Sequence, residues 1–210
     1  MTRRFLFVLG SSRAGGNSEM PARAAAEQLP DGVERQWVDL VEHPLPDFGD
    51  LRHDSDHVRP QGDNRALLLD ATLAATDIVI ASPLYWYSVS AHVKRYLDHW
   101  SGWLRTPGGD FKKTMAGRTL WGVTALAHYE EEVAEPLIGT LNHSAAYLGM
   151  LPHRLEGVGG TPIGGVLLGN GIKPGDVLRD TAALTRAKTF PSTEPPFARL
   201  PYDTEEEAAA

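Results

Sequence analysis

Phe5-Leu6-Phe7-Val8-Leu9 is apolar at every position and stops abruptly at Gly10-Ser11-Ser12. A strand with one wet face would alternate. A run without alternation fits a strand covered on both faces, as in a parallel sheet between two layers of helices. Asp77-Ile78-Val79-Ile80-Ala81, ending at Ser82-Pro83, repeats the pattern and is the clearest strand in the chain.

The rest of the chain keeps alternating between the two periods. Pro21 to Leu29 is Ala-rich, with Asn17 or Ser18 as cap and Pro21 in the first turn, which predicts a helix. Gln36 to Leu40 reads as a second strand. Arg65 to Ala75, with Leu69 and Leu73 one turn apart, reads as a second helix. Ser90 to Trp100 reads as a third, with Val93, Tyr96, Leu97 and Trp100 on one face. Thr119 to Leu126 is a fourth strand. A fourth helix carries Val133, Leu137, Leu141 and Leu148 and stops at Gly149; Pro136 either begins it or kinks it. A fifth strand is expected near His153 to Val158. In the glycine-rich stretch Gly159 to Gly175, Val166-Leu167-Leu168 is expected as one arm of a hairpin, and a last helix over Asp176 to Phe190.

Strands alternating with helices imply a doubly wound parallel α/β sheet with right-handed crossovers. A chain of 210 residues fits one such domain over 1–190. The tail 191–210, with Pro195-Pro196 and Glu205-Glu206-Glu207, is expected to be extended or disordered. Val41 to Asn64 has no apolar period and reads as a surface loop, either functional or mobile.

Composition narrows the chemistry. The chain has no cysteine, which removes disulfides, iron–sulfur ligation, thiolate zinc and cysteine nucleophiles, so redox chemistry needs a bound cofactor. A formal charge of −7 argues against coating nucleic acid or an anionic membrane surface. No stretch reaches the roughly 20 apolar residues of a membrane span. The N-terminus runs into an apolar strand without a signal-peptide pattern, so a cytoplasmic protein is expected. His43, His53 and His57, near Asp54 and Asp56, have no helix to put them on one face, and no metal site is expected. The absence of a G-x-S-x-G elbow disfavours an α/β-hydrolase.

Ligands of such sheets bind beyond the carboxyl ends of the strands, which directs attention to three loops. Gly10-Ser11-Ser12-Arg13-Ala14-Gly15-Gly16-Asn17-Ser18 offers hydroxyls, a permanent cation, glycines and a helix N-terminus, which suits a phosphate. It also suits an ordinary turn rich in capping residues, since both the G-x-G-x-x-G and the P-loop spacings are missing. In Ser82-Pro83-Leu84-Tyr85-Trp86-Tyr87-Ser88-Val89-Ser90, adjacent aromatics cannot all point inward, so at least one faces a ligand or partner. Alternatively, Tyr85 and Tyr87 pack on the third helix while Trp86 covers a sheet edge. The third loop is Thr124-Ala125-Leu126-Ala127-His128-Tyr129-Glu130. His128 and Tyr129 either donate protons to a reduced acceptor or are structural.

Gly10-Ser11-Ser12-Arg13 with Asn17-Ser18, followed by the segment from Ser82 to Asp98, resembles the flavodoxin-like NADPH-dependent FMN reductases and NAD(P)H:quinone reductases. The second motif of that family runs Ser-Pro-x-Tyr-x-x-Ser-x-Ser-Ala-x-Leu-Lys-x-x-x-Asp. Ser82, Pro83, Tyr85, Ser88, Ser90, Ala91, Lys94 and Asp98 match it, with Val93 in place of the leucine. The resemblance covers residues 4 to 150. It implies a five-stranded parallel sheet in the order 2-1-3-4-5 with helices on both faces, and FMN as cofactor with NADPH or NADH as co-substrate.

By the same resemblance, Ser11, Arg13, Asn17 and Ser18 hold the FMN phosphate, and Ser12 serves the phosphate or the turn. Pro83, Leu84, Tyr85 and Trp86 line the isoalloxazine, and Thr124 and Ala125 stand where the third loop meets it. That loop departs from the small, glycine-containing loop usual in the family. Lys94 and Asp98 read as an i,i+4 surface pair. The acceptor implied is a small molecule such as a quinone or free flavin, and the assembly a homodimer or homotetramer. Trp100 and Trp103 are then either a core cap or a dimer contact near the flavin. The alternatives are a flavodoxin-type electron carrier and a non-catalytic flavin-binding module. Against the carrier, −7 is a modest charge for docking, and Arg13 departs from a Thr/Ser-rich phosphate loop.

Overall fold

β1 (Arg4–Leu9) runs through the interior of the sheet, parallel to β2 (Glu34–Asp39) on one side and β3 (Asp77–Ala81) on the other. Every residue from Phe5 to Leu9 is buried, as an unalternating apolar run requires. The computed structural model describes residues 3–51, 53, 58–108, 110–127, 130–152, 154–156, 162–164 and 166–189, with the backbone alone over 151–168. The tail 191–210, His128, Tyr129, Asp54, Asp56 and His57 lie outside the described residues.

β3 pairs in parallel with β4 (Thr119–Leu126). Two segments share the fifth position. β5 (Leu151–Pro152) runs beside Thr119 and Leu120, and β8 (Val166–Asn170) beside Gly122 to Leu126, both parallel to β4. Between them β6 (Arg154–Glu156) and β7 (Pro162–Gly164) form a separate antiparallel pair. The order is therefore the flavodoxin-like 2-1-3-4-5, with its last strand interrupted. Val166-Leu167-Leu168 is thus part of a parallel sheet strand and not the arm of a hairpin. The far half of β4 would otherwise leave its outer N–H and C=O groups unpaired inside the domain, and β8 satisfies them.

Successive strand residues point to opposite faces, and each face has its own core. Phe5, Phe7, Val79, Trp121 and Val123 pack under α1 (Glu19–Ala26) and α6 (Thr181–Thr189). Leu6, Val8, Ile78, Ile80 and Leu120 pack under α2 (Asn64–Ala74), α3 (Ala91–Trp103) and α5 (Glu135–Tyr147). The short α4 (Phe111–Met115), too brief to show a period in sequence, closes that second core. Pro136 sits in the first turn of α5, behind a 3-10 turn at Glu131–Ala134, so it begins the helix. α6 starts later than expected, after a 3-10 turn at Asp176–Arg179.

Trp100 and Trp103 are buried and meet Tyr96 and Phe111 edge to face, which makes them part of the core. Burial pushes the Tyr96 phenol up to about 12, against a hydrogen bond of 2.7 Å shared with Thr72. The near half of the Val41–Asn64 loop is strapped to α3. Leu45 is buried, and the carbonyls of Leu45 and Pro46 bond Arg95 and His99. Among the described residues, no helix is long and apolar enough to cross a membrane.

Candidate functional site

The carboxyl ends of β1 and β3 are laced together before any pocket forms. Gly10 N–H donates to the carbonyl of Ala81 at 2.9 Å, extending the ladder by one residue. The hydroxyl of Ser90 donates to the carbonyl of Gly10 at 2.6 Å, and Ser90 N–H donates to Ser82 Oγ at 2.9 Å. A Cβ on residue 10 would lie 2.2 Å from Val93 Cγ2, so the approach of α3 requires glycine there.

From this brace the first loop turns into α1. Ser11 Oγ accepts the Arg13 N–H at 3.1 Å. Gly15, at φ +63°, donates its N–H to Glu19 Oε2 at 2.7 Å. Glu19 is itself held by Arg23 at 2.6 Å, and that guanidinium stacks on Trp37. These bonds take up part of the loop. The backbone N–H groups of Asn17 and Ser18 have no hydrogen-bond partner among the described residues, and Ser18 makes no side-chain cap. Arg13 is exposed and its side chain pairs with no carboxylate among them. Free N–H groups at a helix N-terminus beside an unpaired guanidinium are an arrangement that can hold an anion.

The second loop folds back on itself. Tyr85 and Ser88 exchange both backbone hydrogen bonds at 3.1 Å, with Trp86 (φ 49°) and Tyr87 (φ 64°) at the tip of a two-residue turn. Two positive φ angles in succession define a type I′ turn, which usually carries Asn-Gly. Trp86 is 93% exposed.

Between the loops lies a pocket of about 320 Å³. Ser11, Ser12, Arg13, Asn17 and Ser18 line one part of it, and Pro83, Leu84 and Tyr85 another. Ala125 and Ala127 come from the end of β4. Gly171, Ile172 and Pro174 come from the loop after β8. Two residues expected at the cofactor do not line it. The hairpin tip carries Trp86 out into solvent. Thr124 is fully buried, and strand alternation turns it to the face opposite Ala125. Its hydroxyl has no partner among the described residues. Lys94 and Asp98 form the surface pair at 2.5 Å, away from the pocket.

The wall at Gly171 to Pro174 was not legible as part of the site. The signal available was Pro174-Gly175 at the end of an apolar run, which marks a fourth strand-end loop once Val166–Asn170 is seen as a parallel strand. Beyond this wall a wider basin of about 630 Å³ shares Ala127, Gly171 and Ile172 with the pocket and reaches Arg179, Asp180 and Arg186. Burial works to raise the Asp180 carboxyl. Hydrogen bonds from Ala183 N–H, Asn170 N–H and Asn170 Nδ2, with the charge of Arg186, outweigh it and hold the group below its ordinary value.

A phosphate-bearing flavin fits these residues. The anion site holds two free N–H groups and Arg13. The remainder of the pocket is Pro83, Leu84, Tyr85, two alanines and the loop residues Gly171, Ile172 and Pro174, largely apolar and aromatic surface suited to a flat heteroaromatic ring.

Comparison with known proteins agrees. The family model described as NADPH-dependent FMN reductase matches residues 3–152. YwqN of Bacillus subtilis (strain 168), provisionally named an NAD(P)H-dependent FMN-containing oxidoreductase, is 30% identical over 181 residues, 86% of this chain and 92% of the relative. The Trp repressor binding protein from Bacillus subtilis superposes with a TM-score of 0.63 at 24% identity, over 89% of this chain and 96% of that one. The FMN-dependent NADH-azoreductase from Bacillus anthracis, solved in complex with FMN, gives 0.58 at 11% identity, over 90% and 98%. The two solved structures establish the fold alone, and the wall at Gly171–Pro174 lies beyond the matched family segment. With the family model spanning most of the chain and a relative 30% identical over 86% of it, the protein belongs to the NADPH-dependent FMN reductase family, FMN-dependent oxidoreductases that use NAD(P)H.

Proposed function

We propose that this protein passes reducing equivalents from NADPH or NADH to a small acceptor, a quinone or a free flavin, at the pocket between the first and second strand-end loops. One observation carries the reading. Arg13 and the N–H groups of Asn17 and Ser18, without partners among the described residues, share a single pocket with Pro83, Leu84 and Tyr85.

In this reading Arg13, the hydroxyls of Ser11 and Ser12 and the two free N–H groups hold the phosphate and fix the cofactor's register. Pro83, Leu84 and Tyr85 press on the ring system and exclude water from one part of it. Bound FMN supplies the hydride chemistry, which is a property of the cofactor and demands no obligatory side-chain acid or base. Tyr85 is half exposed, so the rim of the pocket stays open for co-substrate and acceptor to enter in turn. His128 and Tyr129 are proposed as proton donors to the reduced acceptor. A homodimer or homotetramer working in the cytoplasm is proposed with them.

Purified protein titrated with FMN, then mixed with NADPH or NADH and either a quinone or free flavin, tests this directly. Flavin binding followed by nucleotide oxidation that depends on the acceptor is expected. No flavin binding sinks the reading. Binding without oxidation of either nucleotide leaves an electron carrier or a binding module. Light scattering decides the oligomer.

A further inference from the structure

The side chain of Asn17 does not face the anion site alone. Its Nδ2 donates to the carbonyl of Lys173 at 2.9 Å, and its Oδ1 accepts the Gly175 N–H at 2.9 Å. One planar amide therefore satisfies an acceptor and a donor two residues apart. The alternative flip would set N–H against N–H and carbonyl against carbonyl, so its orientation is fixed.

Gly171 packs against the same amide. A Cβ there would lie 2.6 Å from Asn17 Nδ2 and 2.9 Å from the backbone nitrogen of Val177. The loop has three further ties, one of them from Asp176 N–H to the same Lys173 carbonyl at 3.1 Å. Gly171 N–H donates to the carbonyl of Leu126 at 2.8 Å, and Lys173 N–H donates to Asp176 Oδ2 at 2.7 Å. Asn17 is its tie to the first loop, and its partners stand 156 and 158 residues away in sequence. The loop held in this way carries Ile172 and Pro174 to the pocket, where Ile172 is 74% exposed.

We infer that Asn17 is a positioning residue: its side chain fastens the Gly171–Gly175 loop to the phosphate loop and so completes the wall of the cofactor pocket, while only its backbone N–H serves the phosphate. The inference rests on the FMN reading for what the wall contacts, and on the two hydrogen bonds alone for the clamp. It gives the chain beyond residue 152 a part in cofactor binding.

The experiment compares FMN with riboflavin, which lacks the phosphate, and follows amide exchange in the flavin-free protein. Asn17→Ala is expected to weaken both flavins by the same factor, about tenfold for two neutral hydrogen bonds. Gly171→Ala, which forces the amide away, is expected to do the same. Asn17→Asp keeps the acceptor for Gly175 and loses the donor to Lys173, and is expected to fall between for riboflavin, whose binding the new charge does not oppose. In flavin-free Asn17→Ala the Gly175 amide is expected to exchange faster than in the parent. A variant that weakens FMN and leaves riboflavin untouched makes Asn17 a phosphate ligand and overturns the inference. Unchanged exchange at Gly175 removes the clamp itself. If the parent binds neither flavin, the proposed function fails, while the exchange result still decides whether Asn17 holds the loop.

Discussion

The hydroxyl of Ser90 donates to the carbonyl of Gly10 at 2.6 Å, joining the end of β1 to the start of α3 through two residues 80 positions apart. The same oxygen accepts Val93 N–H at 3.3 Å and caps α3, while Ser90 N–H is held by Ser82 Oγ. Two serines of the family motif thus brace the site without lining its pocket. Ser90→Ala leaves a buried carbonyl and a helix N–H without their partner. The expected loss is about 1–3 kcal/mol, read as a lower urea midpoint, together with weaker FMN binding because the two loops part. A parent-like midpoint would mean that the brace contributes nothing.

Gly10 and Gly15 both lie in the first loop and have opposite reasons for being glycine. Gly10 has Val93 Cγ2 where a Cβ would go, whereas Gly15 has open space but φ +63°. Gly10→Ala forces the fully buried Val93 aside and is expected to cost about 1–3 kcal/mol through overpacking. Gly15→Ala meets no atom and is expected to cost roughly 1–2 kcal/mol from its backbone conformation. Denaturation of each variant measures the cost. Repacking separates them, since shortening Val93 to Ala should relieve the first and leave the second unchanged.

Arg13 is exposed and unpaired among the described residues, so its removal should leave the fold alone. Arg13→Ala is expected to keep the parental melting temperature and to weaken FMN by about tenfold through the lost charge-assisted bond. Riboflavin affinity should not move, and added salt should narrow the gap between parent and variant for FMN. Equal weakening of both flavins would place Arg13 at the ring and not at the phosphate.

The legible parts of this protein are those whose cause is local. Phe5–Leu9 and Asp77–Ala81 advertise their double burial by lacking alternation, and the strand-end loops follow from where the runs stop. Thr124 and Trp86 stand outside the pocket lining because their side-chain direction is settled by pleat and turn geometry that a motif does not carry. Alternation sends Thr124 away from Ala125, and the type I′ turn throws Trp86 outward. Gly171–Gly175 was missed because β8 finds β4 across the β6–β7 insertion, a pairing with no local pattern. The two hydrogen bonds of Asn17 are more remote still.

Trp86 and Tyr87 hold positive φ angles that a bulky residue adopts at a cost of roughly 1–2 kcal/mol each. Asn and Gly suit those positions of the turn. Trp86→Asn with Tyr87→Gly is therefore expected to raise stability by roughly 1–2 kcal/mol, visible as a higher melting temperature. Since both side chains stand exposed beside Tyr85 at the pocket rim, turnover is expected to fall in the same variant. Higher stability with unchanged turnover would show the aromatic tip to be idle in catalysis.

Asp180 joins β8 to α6. Its carboxylate accepts Asn170 N–H, Asn170 Nδ2 and Ala183 N–H at 2.9, 3.1 and 2.9 Å. Burial alone would raise its pKa, but these donors and Arg186 prevail and lower it. A group whose folded pKa lies below its unfolded value of about 3.9 binds its proton more weakly when folded. The stability it contributes is fully present above that value and is lost as pH falls through the folded pKa. Asp180→Asn can still cap α6 but turns an N–H toward the donors of Asn170. It is expected to cost about 1 kcal/mol at neutral pH. Denaturation at a series of pH values should show that difference hold steady down to about pH 4 and shrink in stronger acid, because the parent carboxyl is then protonated as well. A difference that stays constant through the acid range would mean that the ionised form has no special hold on β8 and α6.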